Sequence, residues 1–480
     1  MSKKRYDTVI YGGRLSGLLA AALLSDKGAK VLIINDEASS EKVEKGYKLD
    51  FQMLPIGNIP DSPAVTNILG RLGLGLSNKE RFTPAELLFQ VITGKHRIDF
   101  SWKEKTLEAE LVAEFDGEAS RIIKVLADRS ALRGAITEGD HERDEIFPPY
   151  GLKARLGWKF KGRAHLFNMP EETLEQVLSG LDISDSLKKV ISLPSKFSTS
   201  LYPVSESLPF VPFISCLEGY YPKGGMSGFK KLILAGLKDR GVEFKDGASV
   251  EKFLVQKNKI NQLTLKGCGS KILAKSFIFN SDPVNLPALL PQKFFTKTFI
   301  EGLKVCGGRL WWQSIFIGID ADIIPVGMHD NLIVDDDEDL PFMIQMVPVS
   351  ESGATPEGKR LMKISRAIDN SADIAASKNN LIRFEKSALR RLNDLIPFLD
   401  KGKFEVLYKS ASKPFSSDDY LVGEPLLAPA MLGSLSPLTP YGNLFISGRE
   451  IMPVFGIEGD FLSAEMIAHN LLKVIAEPEK

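Results

Sequence analysis

The residues best placed to do chemistry are a glycine run near the start of the chain, Gly12-Gly13-Arg14-Leu15-Ser16-Gly17. A glycine turn between a strand and a helix leaves backbone N–H groups open at the helix start, so the chemistry on offer is the holding of an anion such as pyrophosphate. Read as G-x-G-x-x-G, the run has Arg14 in place of the second glycine, whose missing side chain normally lets the pyrophosphate approach the backbone. Two readings of Arg14 stand: it blocks that approach, or its guanidinium pairs with phosphate bidentately. The acidic residue that grips ribose hydroxyls in such units should fall near position 35, where the chain has Asn35 followed by Asp36. Asn35 can accept a hydrogen bond, but without charge.

The flanking residues fit the elements that must position this turn. Asp7 to Tyr11 is a short, β-rich apolar run ending at Gly12-Gly13, where glycine accepts backbone conformations closed to other residues. Leu15, Leu18, Leu19, Ala22 and Leu23 then recur at helical spacing, and Gly28 stops the helix. Lys30 to Ile34 follows as a largely apolar strand of the kind buried on both faces of a parallel sheet. The order strand, turn, helix, strand is that of a nucleotide-binding βαβ unit. A dinucleotide fold that has lost its ligand is the competing reading.

The 480 residues exceed one ordinary core and suggest two, interleaved, domains. With 44% hydrophobic and 25% charged residues the chain reads as soluble and globular. Lys plus Arg and Asp plus Glu stand at 61 each, so net charge points to no nucleic-acid partner. Cys216, Cys268 and Cys306 form neither a metal pattern nor a disulfide framework, which suits a reducing cytoplasm. The five histidines are scattered, and no metal site is expected. The opening MSKKRYD enters the first strand directly, so no cleavable secretory signal is expected. No apolar run is long enough to span a membrane, while peripheral membrane contact stays open.

Further along, Leu49 to Ile56 reads as a strand closing the site, and Pro63 to Leu74 as a short helix. Alternation from Phe82 to Phe100 predicts a hairpin turning at Gly94-Lys95. Thr106 to Arg129 reads as helical, with Leu107, Leu111, Val112, Phe115, Ile122, Ile123 and Leu126 inward. Glu171 to Leu178 is another helical piece, and Trp158, Phe160 and Phe167 form a packed satellite core or line a pocket. The acidic run between Ile333 and Leu340 reads as a solvated loop, and PFMIQMVPVS after it as a strand. Ser377 to Ile396 is a helix with Leu381, Phe384, Leu389 and Leu392 inward.

From Gly219 to Pro283 a Tyr-Tyr-Pro-Lys-Gly-Gly-Met turn leads into a helix carrying Phe229, Leu232, Ile233 and Leu237. A Gly-Val-Glu-Phe strand, Val250, a β-meander and Asn280-Ser281-Asp282-Pro283 follow. The chain ends on NLFISGREIMPVFGIEGDFLSAEMIAHNLL, a strand, a glycine turn, a Pro/Gly-rich loop and a closing helix. In this order these segments, about a third of the chain, resemble the phytoene desaturase and retinol saturase group of flavoproteins. The Arg and paired glycines that such flavoproteins carry after the second strand are missing here.

The resemblance implies an α/β protein with a Rossmann-like FAD/NAD(P)-binding domain and an interleaved α+β substrate domain. The FAD-binding domain would comprise residues 1–80, 219–290 and 430–480; the substrate domain, residues 81–218 and 291–429. By position, Gly12, Gly13, Arg14, Leu15, Ser16 and Gly17 would meet the pyrophosphate of FAD, Asn35 and Asp36 the adenosine ribose, and Val250 the adenine. Gly448, Arg449, Gly456, Ile457, Glu458, Gly459 and Asp460 would meet the flavin end, with Arg449 where many relatives carry Asp or a small residue. Asp460 touches the flavin or caps the last helix. The implied activity is FAD-dependent hydride transfer to or from a long apolar, isoprenoid-type small molecule, with no protein acid or base assigned. Two alternatives stand beside it: an amine oxidase-like flavoprotein, and a non-catalytic carrier or chaperone that keeps the fold without the flavin.

Overall fold

The computed structural model describes residues 5–35, 42–51, 56–57, 62–75, 80–85, 87–101, 103–124, 174–198, 219–306, 310–336, 340–348, 351, 353–369, 374–399, 403–410, 415 and 435–476. Asp36, Trp158, Phe160, Phe167 and Leu126 lie outside them.

The first sheet is built from strands β1 (Arg5–Tyr11), β2 (Val31–Asn35), β3 (Glu243–Asp246), β4 (Val250–Gln256), β5 (Lys259–Leu265), β6 (Lys271–Phe279) and β7 (Leu444–Ile446). Its order is β3-β2-β1-β6-β5-β4, with β7 also paired to β6. The pairs β3–β2, β2–β1, β1–β6 and β6–β7 are parallel, while β6, β5 and β4 run antiparallel as a meander. Parallel strands need cover on both faces, and the alternating residues show it. Ile10, Ile33, Ile278 and Phe445 face one core with helices α1 (Leu15–Asp26), α2 (Pro63–Arg71), α3 (Gly225–Asp239) and α4 (Gly456–Ala476). Val9, Leu32, Ile34, Phe277, Phe279 and Ile446 face another, closed by the meander and by Leu286, Phe299 and Leu303. Helix α1 is buried from Leu15 to Leu24, because it is packed between the sheet and α4.

A second seven-stranded sheet follows the order 404–409, 310–320, 359–369, 342–346, 331–334, 89–93 and 96–100. One face packs Ile315, Ile317, Ile319, Ile344, Met362 and Ile364 under the helix Ile374–Leu395. On the other, Phe316, Val347 and Leu361 meet Tyr47, Leu49, Phe51 and Phe415. The two sheets are joined through a three-stranded ribbon in which Gly219–Pro222 pairs with both Ile56–Gly57 and Phe82–Pro84. They are also joined by Glu351, both of whose carboxylate oxygens accept the Gly224 N–H at 3.2 and 3.1 Å, just ahead of α3. The fold is thus α/β, with a Rossmann-like sheet and a mixed sheet threaded through it in sequence.

Several expectations are corrected. The strand expected from Leu49 to Ile56 begins instead as a turn at Leu49–Asp50, between the two-residue strands Tyr47–Lys48 and Ile56–Gly57, while 52–55 lie outside the described residues. Val112 is 43% exposed, because the helix Glu104–Phe115 packs on its core along the line Leu107, Leu111 and Phe115, and Val112 lies one residue off that line. The acidic run is only partly solvated. Asp335 and Asp336 are buried, Asp335 beside Lys189 at 3.1 Å and accepting from Thr93 at 3.1 Å, Asp336 beside Arg390 at 2.8 Å. Buried carboxylates demand such partners. Among the described residues, no helix is long and apolar enough to cross a membrane, and no group of three or more His, Cys, Asp or Glu could hold a metal.

Candidate dinucleotide crevice

Strands β1, β6 and β7 end together, with Tyr11, Phe279 and Ile446 in register. The chain leaves all three at one edge of the sheet, the place where open α/β sheets bind ligands. From β1 it enters α1 through Gly12, whose φ of +116° is closed to most residues. Gly12 also lies against the Asn280 backbone: a Cβ here would stand 3.0 Å from Ser281 N and nearer still to the Asn280 carbonyl. Gly17 admits the Asn280 side chain in the same way. Asn280 itself is fully buried and donates through Nδ2 to Ser16 Oγ and to the Ser447 carbonyl, each at 2.9 Å. Two of the motif's glycines therefore serve the packing of α1 on the ends of β6 and β7.

The first turn of α1 is open at its start. Gly17 and Leu18 both donate to the Arg14 carbonyl, which leaves the N–H groups of Leu15 and Ser16 without intrahelical acceptors. Asn35 closes the far side of the turn, its amide 2.9 Å from where a Gly13 Cβ would stand. Asn35 also receives the Ala248 N–H on its carbonyl at 3.3 Å, which brings the start of β4 at Val250 beside it. Gly12 to Gly17, Asn35 and Val250 thus share one edge.

Beyond β7 the chain turns through Gly448-Arg449-Glu450, with the Ile451 N–H donating to the Gly448 carbonyl at 3.1 Å. This turn carries two ion pairs. Arg14, at the N-cap of α1, pairs through Nη1 with Glu450 Oε1; the two side chains are 12% and 4% exposed. Arg449 Nη2 lies 3.5 Å from Asp460 Oδ2 in the first turns of α4. Asp460 is buried, and Gly459 lets that helix start lie against the Met452 backbone. Gly456 begins α4 at a φ of +54°, while Ile457 is half-buried and Glu458 buried. Asp282 completes the cluster. Burial raises its carboxyl above the usual 3.8, while its own bond from the Val284 N–H and the charge of Arg14 oppose this and Glu450 adds to it.

Sequence alone does not single out Glu450, Asn280, Ser447 or Asp282 as site residues. Glu450 approaches Arg14 from 436 positions away, and no local spacing announces such a contact. The Asn280-Ser281-Asp282-Pro283 segment was visible as a motif, but not its role beside the turn.

Buried polar atoms test whether a dinucleotide cofactor suits the crevice. Glu450 Oε2, Asn280 Oδ1 and Ser447 Oγ are buried with no hydrogen-bond partner among the described residues. An unsatisfied buried acceptor costs about 1–3 kcal/mol, more when charged. Hydroxyl donors are what these oxygens lack, and the sugar and polyol portions of FAD are rich in them. The open N–H groups of Leu15 and Ser16 match its diphosphate. The residues present fit the group, with one exchange: Arg14 is engaged by a protein carboxylate.

No family model matches the chain. Among curated proteins it is similar to the chloroplastic prolycopene isomerase of Daucus carota, 22% identical over 521 residues that cover 98% of this chain and 80% of the relative. The resemblance read from the quoted motifs thus extends over almost the whole length. Among solved structures, an oxidoreductase from Methanosarcina mazei superposes with a TM-score of 0.64 at 16% identity, covering 97% of this chain and 99% of the other. A Rab GDI from Plasmodium falciparum superposes with a TM-score of 0.53 at 12% identity, covering 98% and 99%. At these identities the structural matches establish the fold, and the fold alone is shared by an oxidoreductase and a GDI.

Proposed function

We propose that the chain is an FAD-dependent oxidoreductase acting on a long apolar, isoprenoid-type polyene. The observation that carries the cofactor half of this reading is the convergence, at one sheet edge, of the open first turn of α1 with the unsatisfied carboxylate oxygen of Glu450. Leu15 and Ser16 would hold the diphosphate through backbone N–H groups, and Arg14 would add charge. Asn35 would accept from the adenosine ribose, and the backbone at Val250 would meet the adenine. Gly448 and the segment Gly456 to Asp460 would border the flavin end. When bound, the flavin supplies the redox chemistry, passing hydride between its ring and a substrate carbon. The protein's part is to bind, orient and exclude water, and no side chain is assigned a proton transfer.

The substrate half rests on the match to prolycopene isomerase, which spans nearly the whole chain. The substrate domain would lie over residues 81–218 and 291–429. Anaerobic incubation of the FAD-loaded chain with a panel of linear polyenes tests this, with flavin bleaching and chromatography of the polyene as readouts. Conversion of one member supports the reading. A loaded chain that neither bleaches nor alters any polyene, while an amine does bleach it, replaces this reading with an amine oxidase-like one.

One observation favours a non-catalytic carrier instead. The Arg14–Glu450 pair stands where the diphosphate would, and the fold is also that of a Rab GDI. That reading requires a folded chain that refuses FAD and copurifies with an apolar ligand.

A further inference from the structure

The Arg14–Glu450 pair brings together the residue that breaks the glycine motif and a carboxylate from the opposite end of the chain. Both side chains are nearly withdrawn from solvent. A carboxylate this deep would normally have both oxygens satisfied. Here Oε1 meets Arg14, while Oε2 has no hydrogen-bond partner among the described residues. Gly448 makes room for that second oxygen: a Cβ at 448 would stand 3.2 Å from the Glu450 carboxyl carbon and nearer still to Oε2. The glycine that opens the loop after β7 thus admits the glutamate. Glu450 presents to Arg14 what a phosphate would present, an anionic oxygen at a helix start.

Resting on the flavin reading above, we propose that Glu450 is an internal surrogate for the cofactor's diphosphate. It holds Arg14 at the N-cap of α1 until the diphosphate takes its place there. On this account Arg14 is a cofactor ligand and Glu450 the competitor that sets its affinity. The departure from the glycine motif and the glutamate two residues after Gly448 are one device.

Binding measurements on the full chain stripped of nucleotide test this, using flavin fluorescence for FAD and riboflavin and calorimetry for ADP-ribose. Glu450→Gln keeps the shape and removes the charge, and is expected to tighten FAD and ADP-ribose about tenfold by freeing Arg14. Riboflavin, which has no phosphate, is expected to bind both forms alike. Arg14→Gln is expected to weaken FAD and ADP-ribose about tenfold, and Glu450→Gln to give no further gain in that background. Should Glu450→Gln fold poorly, Glu450→Asp shortens the reach to Arg14 and is expected to shift affinity the same way.

If the parent binds FAD and neither Glu450 variant tightens it, the surrogate role is overturned and the flavin reading stands. Equal gains in the presence and absence of Arg14 also overturn the surrogate role, since the effect would then be general charge. If parent and variants alike refuse both FAD and ADP-ribose, the flavin reading itself falls, and this inference with it.

Discussion

Gly17→Ala sets two effects of opposite sign against each other. Alanine is the better helix former, so on propensity alone the substitution would stabilise α1 by up to about 1 kcal/mol. Packing opposes it. A Cβ at position 17 would stand 2.9 Å from the Asn280 Cβ and closer still to its Cγ and Oδ1, and Asn280 is fully buried. The Asn280 side chain would have to leave, and its bonds to Ser16 Oγ and the Ser447 carbonyl would go with it. Each is worth about 1 kcal/mol net, and more where a buried partner is left unsatisfied. The expected balance is a destabilisation of about 2–3 kcal/mol. Urea denaturation of Gly17→Ala, Asn280→Ala and the double variant checks it. Much of the cost of Gly17→Ala is expected to vanish once Asn280 is Ala, giving a coupling of at least about 1 kcal/mol. A stabilised Gly17→Ala, or strict additivity, would refute the assignment of Gly17 to packing against Asn280.

Three further outcomes follow from buried or perturbed groups. Asp282→Asn keeps the acceptor for the Val284 N–H and removes a carboxyl raised above 3.8 by burial. The raised group binds its proton more tightly folded than unfolded, so its ionisation costs stability as pH rises past 3.8. The variant should therefore melt higher than the parent at neutral pH, and thermal melts should show the difference vanishing below the unfolded value. Tyr6 donates to Glu243 at 2.9 Å, and burial pushes its hydroxyl up to about 12 from 10.0. Its contribution is complete below pH 10 and is lost as pH rises toward 12, so Tyr6→Phe should flatten the fall in stability across that window in alkaline denaturation. Arg390→Ala removes one cation from buried Asp336, which keeps the Ser387 hydroxyl. Breaking a buried pair costs about 3–5 kcal/mol; with Arg390 43% exposed, about 2 kcal/mol is expected by urea denaturation.

The first βαβ unit was legible because its signals are local. The apolar run into Gly12, the helical spacing from Leu15 and the strand before Asn35 each depend on near neighbours alone. The hairpin at Gly94-Lys95 was legible for the same reason, and appears as Phe89–Thr93 paired with His96–Phe100. Val112 is exposed because spacing alone does not say which of two adjacent apolar residues faces the core, and the assembled helix packs along Leu107, Leu111 and Phe115 instead. Asp335 and Asp336 were misread because a charge run looks solvated until distant cations are known, and Lys189 and Arg390 lie 146 and 54 positions away. Glu450 is the sharpest case. Beside Arg449 in a loop it looks like an ordinary exposed pair, yet Arg449 faces Asp460 and Glu450 faces Arg14. Arg14 was recognised as the departure at the motif's centre, but only the assembled sheet edge supplies its partner.

FAD is proposed to lie between the first turn of α1 and the loop after β7. The visible absorption spectrum of the full chain, taken after incubation with FAD and removal of unbound nucleotide, tests this most directly. A yellow protein with flavin bands at close to one equivalent per chain is the predicted result. A colourless chain that circular dichroism shows to be fully folded would contradict the claim.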